Sequence, residues 1–316
     1  MVRLTPVLAN PEFLDTMMNL TIGGYAIHIE NTGSTPSRQW PWPAYAPFVT
    51  TDSPDPDIRL TVTVIEQMPF VGHGPLLFDS EHGLWQLYQH DEGYFFESLD
   101  TITHHARCRA QIDANFSSAT VWLLGDYEQS LLHWQPGHLF NPLIQVCLLS
   151  KLGRDGGFLL HASGIATKHG TWVFTGDSGA GKSTLAGWFG EQGGMILNDE
   201  RLLIKPQGDS LSVWGTPWAG SLGEGHNRQG RLARLHCIRH GSDRHRLIRL
   251  SSETISRLVL RQCFFPHWDP EALAGMLGGL RHLVEQMDCV GLSFLNNPNV
   301  IDFLMDHPLD HAMAAS

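Results

Sequence analysis

The chain has 316 residues, 42% hydrophobic and 17% charged, with 21 Lys+Arg against 32 Asp+Glu for a formal net charge of −11. That length can bury one large core or two modest ones, and the composition is ordinary for a soluble globular protein. No stretch approaches the roughly 20 apolar residues of a bilayer span, and the acidic balance opposes a nucleic-acid backbone, so neither a membrane span nor a DNA or RNA partner is expected.

The charge is unevenly placed. Residues 1–150 hold 5 Arg, no Lys and 16 acidic residues (5 − 16 = −11), whereas residues 151–316 hold 16 basic and 16 acidic residues and are neutral. Met1–Phe13 lacks an apolar run of signal-peptide length, so a cytoplasmic protein is expected. The five cysteines, Cys108, Cys147, Cys237, Cys263 and Cys289, are scattered and contain no CxxC pair. That argues for reduced thiols, against a disulfide framework and against a zinc site.

In chain order, Leu20–Glu30 and Ile58–Glu66 are β-branched or alternating runs that read as strands. Gly83–His90, Gly93–Leu99, Cys108–Phe116 and Ala119–Leu124 continue the pattern, with turn residues between them. Thr32–Pro56, rich in Pro, Ser and Thr, reads as an irregular excursion. Residues 1–128 are therefore expected to form a small, mostly antiparallel β-domain with no catalytic group. Residues 129–316 form the second expected domain. Asn141-Pro142 looks like a capped helix start, followed by the apolar stripe Leu143, Ile144, Cys147 and Leu148 and an end near Gly153. Phe158–Ala166 reads as a strand, and Lys168-His169-Gly170 turns it directly into a second one, Thr171–Thr175. A hairpin at this point is unusual for doubly wound nucleotide-binding folds, where a crossover helix separates parallel neighbours.

Gly176, Asp177, Ser178, Gly179, Ala180, Gly181, Lys182, Ser183 and Thr184 then form a complete GxxxxGK[ST] phosphate loop. It follows a strand and precedes a short helix, Ser183–Glu191, so its amides and the helix N-terminus are expected to cradle a nucleoside triphosphate. Lys182 is expected to reach the β/γ-phosphates, and Ser183 to ligate Mg²⁺. Met195–Leu197 is a short strand ending in Asn198-Asp199-Glu200, and it is expected to lie beside the loop strand. Asp199 is the first candidate for second metal ligand and for activator of the acceptor, with Glu200 as a further metal ligand. Arg201–Lys205 and Leu211–Trp214 read as a hairpin, and Gly215–Gly220 as an ordered loop that could border an acceptor pocket. Ser251/Ser252 and Asp269-Pro270-Glu271 are helix starts. Leu273, Met276, Leu277, Leu280, Leu283 and Val284 keep helical spacing after the second of these. A strand near Val290–Phe294 and a terminal helix close the chain. The arginines from Arg228 to Arg261 form the one basic concentration, mostly solvated surface. His236 and His240, four apart, are a weak metal candidate.

L-L-H-A-S-G-I-A, then G-T-W-V-F-T-G-D-S-G-A-G-K-S-T-L-A, then I-L-N-D-E-R resembles the HPr kinase/phosphorylase family, whose wider group includes the nucleotide-dependent phosphoenolpyruvate carboxykinases. The match covers roughly residues 140–220. It implies an α/β (α+β) mixed-sheet domain around the loop, with Ser183 and an acidic residue holding Mg²⁺, Asp199 as the catalytic base and His161 as a supporting catalytic residue. Where that family has two aspartates this chain has Asp199-Glu200, and neither its HPr-docking signature nor its usual N-terminal domain is present. The acceptor is therefore expected to be other than HPr: a serine of a peptide or protein, or a small hydroxylated molecule. ATP is the expected donor. A nucleotide-gated binding module and a carboxykinase-like small-molecule enzyme stay open as alternatives, as does a homo-oligomer.

Overall fold

The computed structural model describes residues 17–32, 43–52, 54–80, 83–100, 102–124, 139–223, 225–287, 289–307 and 313–314. Two mixed β-sheets with few helices make it an α+β protein. The expected domain boundary near residue 128 falls outside the described residues.

The front sheet contains β1 (Met17–Ile22), β2 (Tyr25–Asn31), β3 (Ile58–Ile65), β4 (Leu76–Asp79), β5 (Trp85–His90), β6 (Gly93–Leu99), β7 (Ala106–Ile112) and β8 (Ser118–Leu124), in the order β1-β2-β3-β8-β7-β6-β5-β4. Its pairs are antiparallel except β2–β3 and β3–β8, which are parallel. The run read as one strand, Leu20–Glu30, is a hairpin. Gly23 and Gly24 both take positive φ (61° and 82°), the combination a two-residue hairpin turn requires. The expected strand Cys108–Phe116 stops at Ile112, because the Asp113 carboxylate accepts the Asn115 and Ser117 amides and the Ser118 hydroxyl and folds the chain into a turn. Within the expected excursion Thr32–Pro56, Pro43–Phe48 is a 3₁₀ turn whose Tyr45 and Phe48 are fully buried.

The rear half begins with a wide π-type turn, Leu139–Leu143, that runs into α1 (Ile144–Arg154). Asn141 is thus inside the coil and is not its cap. Next come β9 (Phe158–Thr167), β10 (Gly170–Thr175), α2 (Lys182–Glu191), β11 (Met195–Asn198), β12 (Arg201–Gln207), β13 (Ser210–Trp214), β14 (Gln229–His240) and β15 (Arg246–Arg249). After these lie α3 (Ser252–Leu260), β16 (Cys263–Phe264), α4 (Pro270–Gln286), β17 (Cys289–Phe294), α5 (Val300–Asp306) and β18 (Met313–Ala314). The helix starts at α3 and α4 are as the sequence suggests: Ser251 accepts the Thr254 amide and Asp269 the Ala272 amide, with Pro270 at the first helical position.

β9 and β10 form the expected antiparallel hairpin. The other neighbour of β10 is β14, parallel to it and far away in sequence, whereas β11 pairs with β9. The expectation that the Asp199 strand adjoins the loop strand is corrected here. β14, read as solvated arginine-rich surface, takes that position with Leu232, Leu235, Cys237 and Ile238 buried. β14 also joins β13 through its first residues, so β10-β9-β12-β13-β14 closes on itself.

One apolar core joins the halves. Leu20, Ile22, Ile27, Ile29, Leu60 and Val62 of the front sheet pack with Val146, Leu149, Leu159, Leu203, Trp218 and Trp268 of the rear. Polar contacts cross the same boundary: Tyr25 Oη donates to Asp155 Oδ2 at 2.6 Å, Lys205 Nζ to the Gly23 carbonyl at 2.9 Å, and Trp218 Nε1 to Tyr45 Oη at 2.7 Å. All five cysteines are free, and burial pushes the thiols of Cys147, Cys237 and Cys263 up to about 12. Among the described residues no helix is long and apolar enough to cross a membrane.

Candidate functional site: a phosphate loop with a carboxylate at its edge

Gly176–Thr184 connects β10 to α2. Gly179 and Gly181 take φ of 78° and 97°, where any residue with a Cβ is strained, and a side chain at Gly181 would come within 2.8 Å of the Phe294 ring. Gly181 immediately precedes α2, so the unpaired amides of the first helical turn open into the loop. The Lys182 ammonium folds back and donates to the carbonyls of Gly176 at 2.9 Å and Asp177 at 3.3 Å. Burial lowers its pKa, against the pull of Glu200 and Asp177. At the loop mouth His240 Nε2 lies 2.8 Å from the Gly179 carbonyl. Gln262 Nε2 donates to Asp177 Oδ1 at 3.1 Å, and Arg261 Nη2 is 3.6 Å from the same oxygen.

β9 braces the loop from beneath. Thr175 Oγ1 donates to the His161 carbonyl at 3.0 Å, and Ser163 Oγ to the Lys182 carbonyl at 3.2 Å. His161 sits where β9 exchanges neighbours: it stands opposite Arg201 of β12, and its amide donates to the Gln262 carbonyl. Its Nε2 is 3.4 Å from Glu200 Oε1. Burial lowers the His161 pKa and the Lys182 charge lowers it further, while Glu200 pulls the other way. The imidazole is therefore neutral at neutral pH, and its N–H can donate to the Glu200 carboxylate.

The two acidic candidates have different surroundings. Asp199 is fully buried. Its Oδ1 accepts the Gly220 amide at 2.7 Å and its Oδ2 the Leu222 amide at 2.9 Å. Asn198 beside it donates to the Thr216 carbonyl at 2.8 Å and accepts the amides of Glu200 and Arg201. This pair pins the segment 215–223 to the end of β11, and each Asp199 oxygen, already bonded to one amide, is also closed off from solvent. Glu200 is the part-exposed carboxylate, with one oxygen near His161. Ser183 is half-buried, and its hydroxyl makes no hydrogen bond among the described residues.

Glu200 also borders a cavity of about 1280 Å³ between the two sheets. Phe78 and Trp85 line it from the front, and Trp218, Phe264 and Trp268 from the rear. Pro217–Gly220 belongs to its wall, so the Gly215–Gly220 loop does border a pocket next to the acidic pair. Arg201, outside the basic run and given no role in sequence, lines it too. Of the other named residues, Arg234 stacks over Trp172 at 4.5 Å. His236 and His240 do not converge: His236 is fully buried against Phe174, with ring centroids 4.9 Å apart, and His240 touches the loop. Among the described residues no three His, Cys, Asp or Glu side chains are grouped to hold a metal. Set against known proteins, the chain matches no family model and no curated protein sequence.

Proposed function

We propose that the chain is an ATP-dependent kinase with an HPr kinase/carboxykinase-like rear half, transferring the γ-phosphoryl group to a hydroxyl acceptor. The observation that carries this reading is the phosphate loop with a part-exposed carboxylate, Glu200, at its edge. The amides of Gly179 and Gly181–Ser183 at the start of α2 bind the polyphosphate, and Lys182 exchanges the Gly176 and Asp177 carbonyls for phosphate oxygens. Mg²⁺ would be held by the Ser183 hydroxyl together with the nucleotide's own phosphates, and it would neutralise charge on the β- and γ-phosphates.

Glu200 takes over the base role first given to Asp199. One of its oxygens faces His161, and the other is left for the acceptor hydroxyl. As the γ-phosphorus–oxygen bond to ADP breaks and the acceptor oxygen bonds to phosphorus, the hydroxyl proton passes to Glu200. His161 orients Glu200, and Asp199 holds the segment that walls the acceptor side. A nucleotide-gated module without turnover has no need of a carboxylate so placed, which favours an enzyme.

The test compares two variants by calorimetry with MgADP and by mass spectrometry of acceptors incubated with labelled ATP. Lys182→Ala is expected to weaken nucleotide binding by about 10- to 100-fold, the loss of one or two charge-assisted bonds. Glu200→Gln is expected to bind nucleotide normally and form phosphoester about 10²- to 10⁴-fold more slowly. Normal transfer by Glu200→Gln would remove it as the base, and absence of any nucleotide binding by the native chain would end the kinase reading.

A further inference from the structure

We propose that the inter-sheet cavity holds the phosphoryl acceptor, and that this acceptor is a small aromatic hydroxy acid, with a flat apolar body, one carboxylate and the hydroxyl that is phosphorylated. The inference rests on the kinase reading above and goes beyond it in naming the substrate class.

The first argument is the lining. At about 1280 Å³ the cavity exceeds the roughly 300–1,000 Å³ of most ligand pockets, so a small molecule fits with water to spare. Trp218 and Trp268 expose only 6% and 5% of their surface, and their indole N–H groups are already satisfied by Tyr45 and Ser150. What they and Phe78, Trp85 and Phe264 present to the cavity is ring surface. Such walls select a flat apolar body and offer it few hydrogen bonds.

The second argument is charge. Arg201 is largely buried, and burial lowers its pKa. It stacks over Phe264 with 4.9 Å to the ring centroid, and Nη1 donates to Gln145 Oε1 at 2.9 Å. Its Nε has no hydrogen-bond partner, and the Glu200 carboxylate, which opposes the effect of burial from nearby, makes no ion pair with it. A guanidinium withdrawn from water with no carboxylate in ion-pair contact is only partly compensated, and a ligand carboxylate would complete the compensation in the planar geometry that arginine favours. Glu200 is the next residue in the chain and lines the same cavity. A ligand held by Arg201 would thus carry its hydroxyl to Glu200, which also faces His161 beside the phosphate loop.

The step balances without further reactants. The acceptor oxygen bonds to the γ-phosphorus, ADP leaves with the β–γ bridging oxygen, and the hydroxyl proton goes to Glu200.

The test uses the full chain with saturating MgADP. The probes are phenyllactate, 4-hydroxyphenyllactate and indolelactate, with 2-phenylethanol as the analogue lacking a carboxylate. Binding is read by calorimetry and by saturation-transfer NMR. At least one acid is expected to bind without displacing MgADP, with 2-phenylethanol about tenfold weaker, as loss of a charge-assisted contact predicts. Arg201→Met is expected to weaken the acid about tenfold and leave 2-phenylethanol unchanged. Ala44→Phe, at an exposed residue of the cavity rim where folding is little affected, is expected to block both. Failure of all three acids to bind overturns the inference. So does displacement by MgADP, which would make the cavity the nucleotide-base site, and so do unchanged affinities in both variants. Failure of the kinase reading looks different. In that case the acid binds as described but MgATP yields no phosphate ester by ³¹P NMR, which leaves the ligand class standing and removes its role as acceptor.

Discussion

The phosphate loop and the aromatic cavity meet at Glu200 and are built by opposite means. The loop is backbone: nine consecutive residues supply amides, a helix start and one lysine, and two glycines with positive φ make the curve. The cavity is side chain, assembled from segments between Ala44 and Trp268 that belong to both sheets. A polyphosphate is alike in every nucleoside triphosphate, so a local, backbone-made cradle is sufficient for it. An acceptor has an individual shape, and only side chains gathered from distant positions can match it. Asp199 and Glu200 repeat the contrast over two residues. Asp199 is spent on the backbone of the cavity wall, and Glu200 faces His161 and the cavity.

That contrast can be broken most sharply at Glu200. Glu200→Gln is expected to lower turnover by about 10²- to 10⁴-fold, the usual contribution of a general base, while MgADP affinity stays within about twofold of normal. A parallel fall in affinity would show that the two ends are not separable. The next largest effect concerns stability at the loop end. His236 lies under the loop strand with neither ring nitrogen in a formed hydrogen bond, and the Val173 backbone offsets its burial only in part. Burial, helped by the Arg234 charge, holds the imidazole at about 3. The unfolded group titrates near 6.5, so unfolded chains bind the proton first as pH falls. The native state has its full stability above about pH 6.5 and loses up to about 4 kcal/mol as pH drops toward 3. His236→Leu is expected to flatten the urea-unfolding stability across that window, and an unchanged acid slope would refute the assignment.

Removing the Asp199 clamp comes third. Asp199→Ala leaves the Gly220 and Leu222 amides without their acceptor, at a cost of about 2–4 kcal/mol. The expected signature is faster limited proteolysis within 215–223, with cleavage elsewhere unaltered. The smallest effect expected is at the junction of the halves. Lys205 donates to Gly23 and sits 4.4 Å from the Tyr25 ring centroid, and Lys205→Met is expected to cost about 1 kcal/mol in a single cooperative transition. Two transitions would show that the shared core does not couple front and rear.

Much of the fold could be read directly from the residues. The alternating strands of the front sheet, the hairpin before the loop and the caps at Ser251 and Asp269 are local patterns, and local patterns report local geometry. β14 was missed because its arginines and histidines mask an apolar series, Leu232, Leu235, Cys237 and Ile238, that is buried only because β10 and β17 flank it. The acidic pair after β11 was located, but its division of labour was not: two adjacent carboxylates look alike until the amides of Gly220 and Leu222 claim one of them. Arg201 gave no signal, since the unpartnered Nε is a property of what surrounds it.

The sequence by itself determined the phosphate loop, the helix behind it and the strand-rich character of both halves, because each depends on steric and hydrogen-bonding preferences within a few residues of itself. Only the tertiary structure decided that β14 flanks the loop strand, that Asp199 is buried while Glu200 stays part-exposed, and that aromatic rings from two sheets line a cavity beside it. Those outcomes depend on which distant groups pack together, a choice made by tertiary packing and not by local preference.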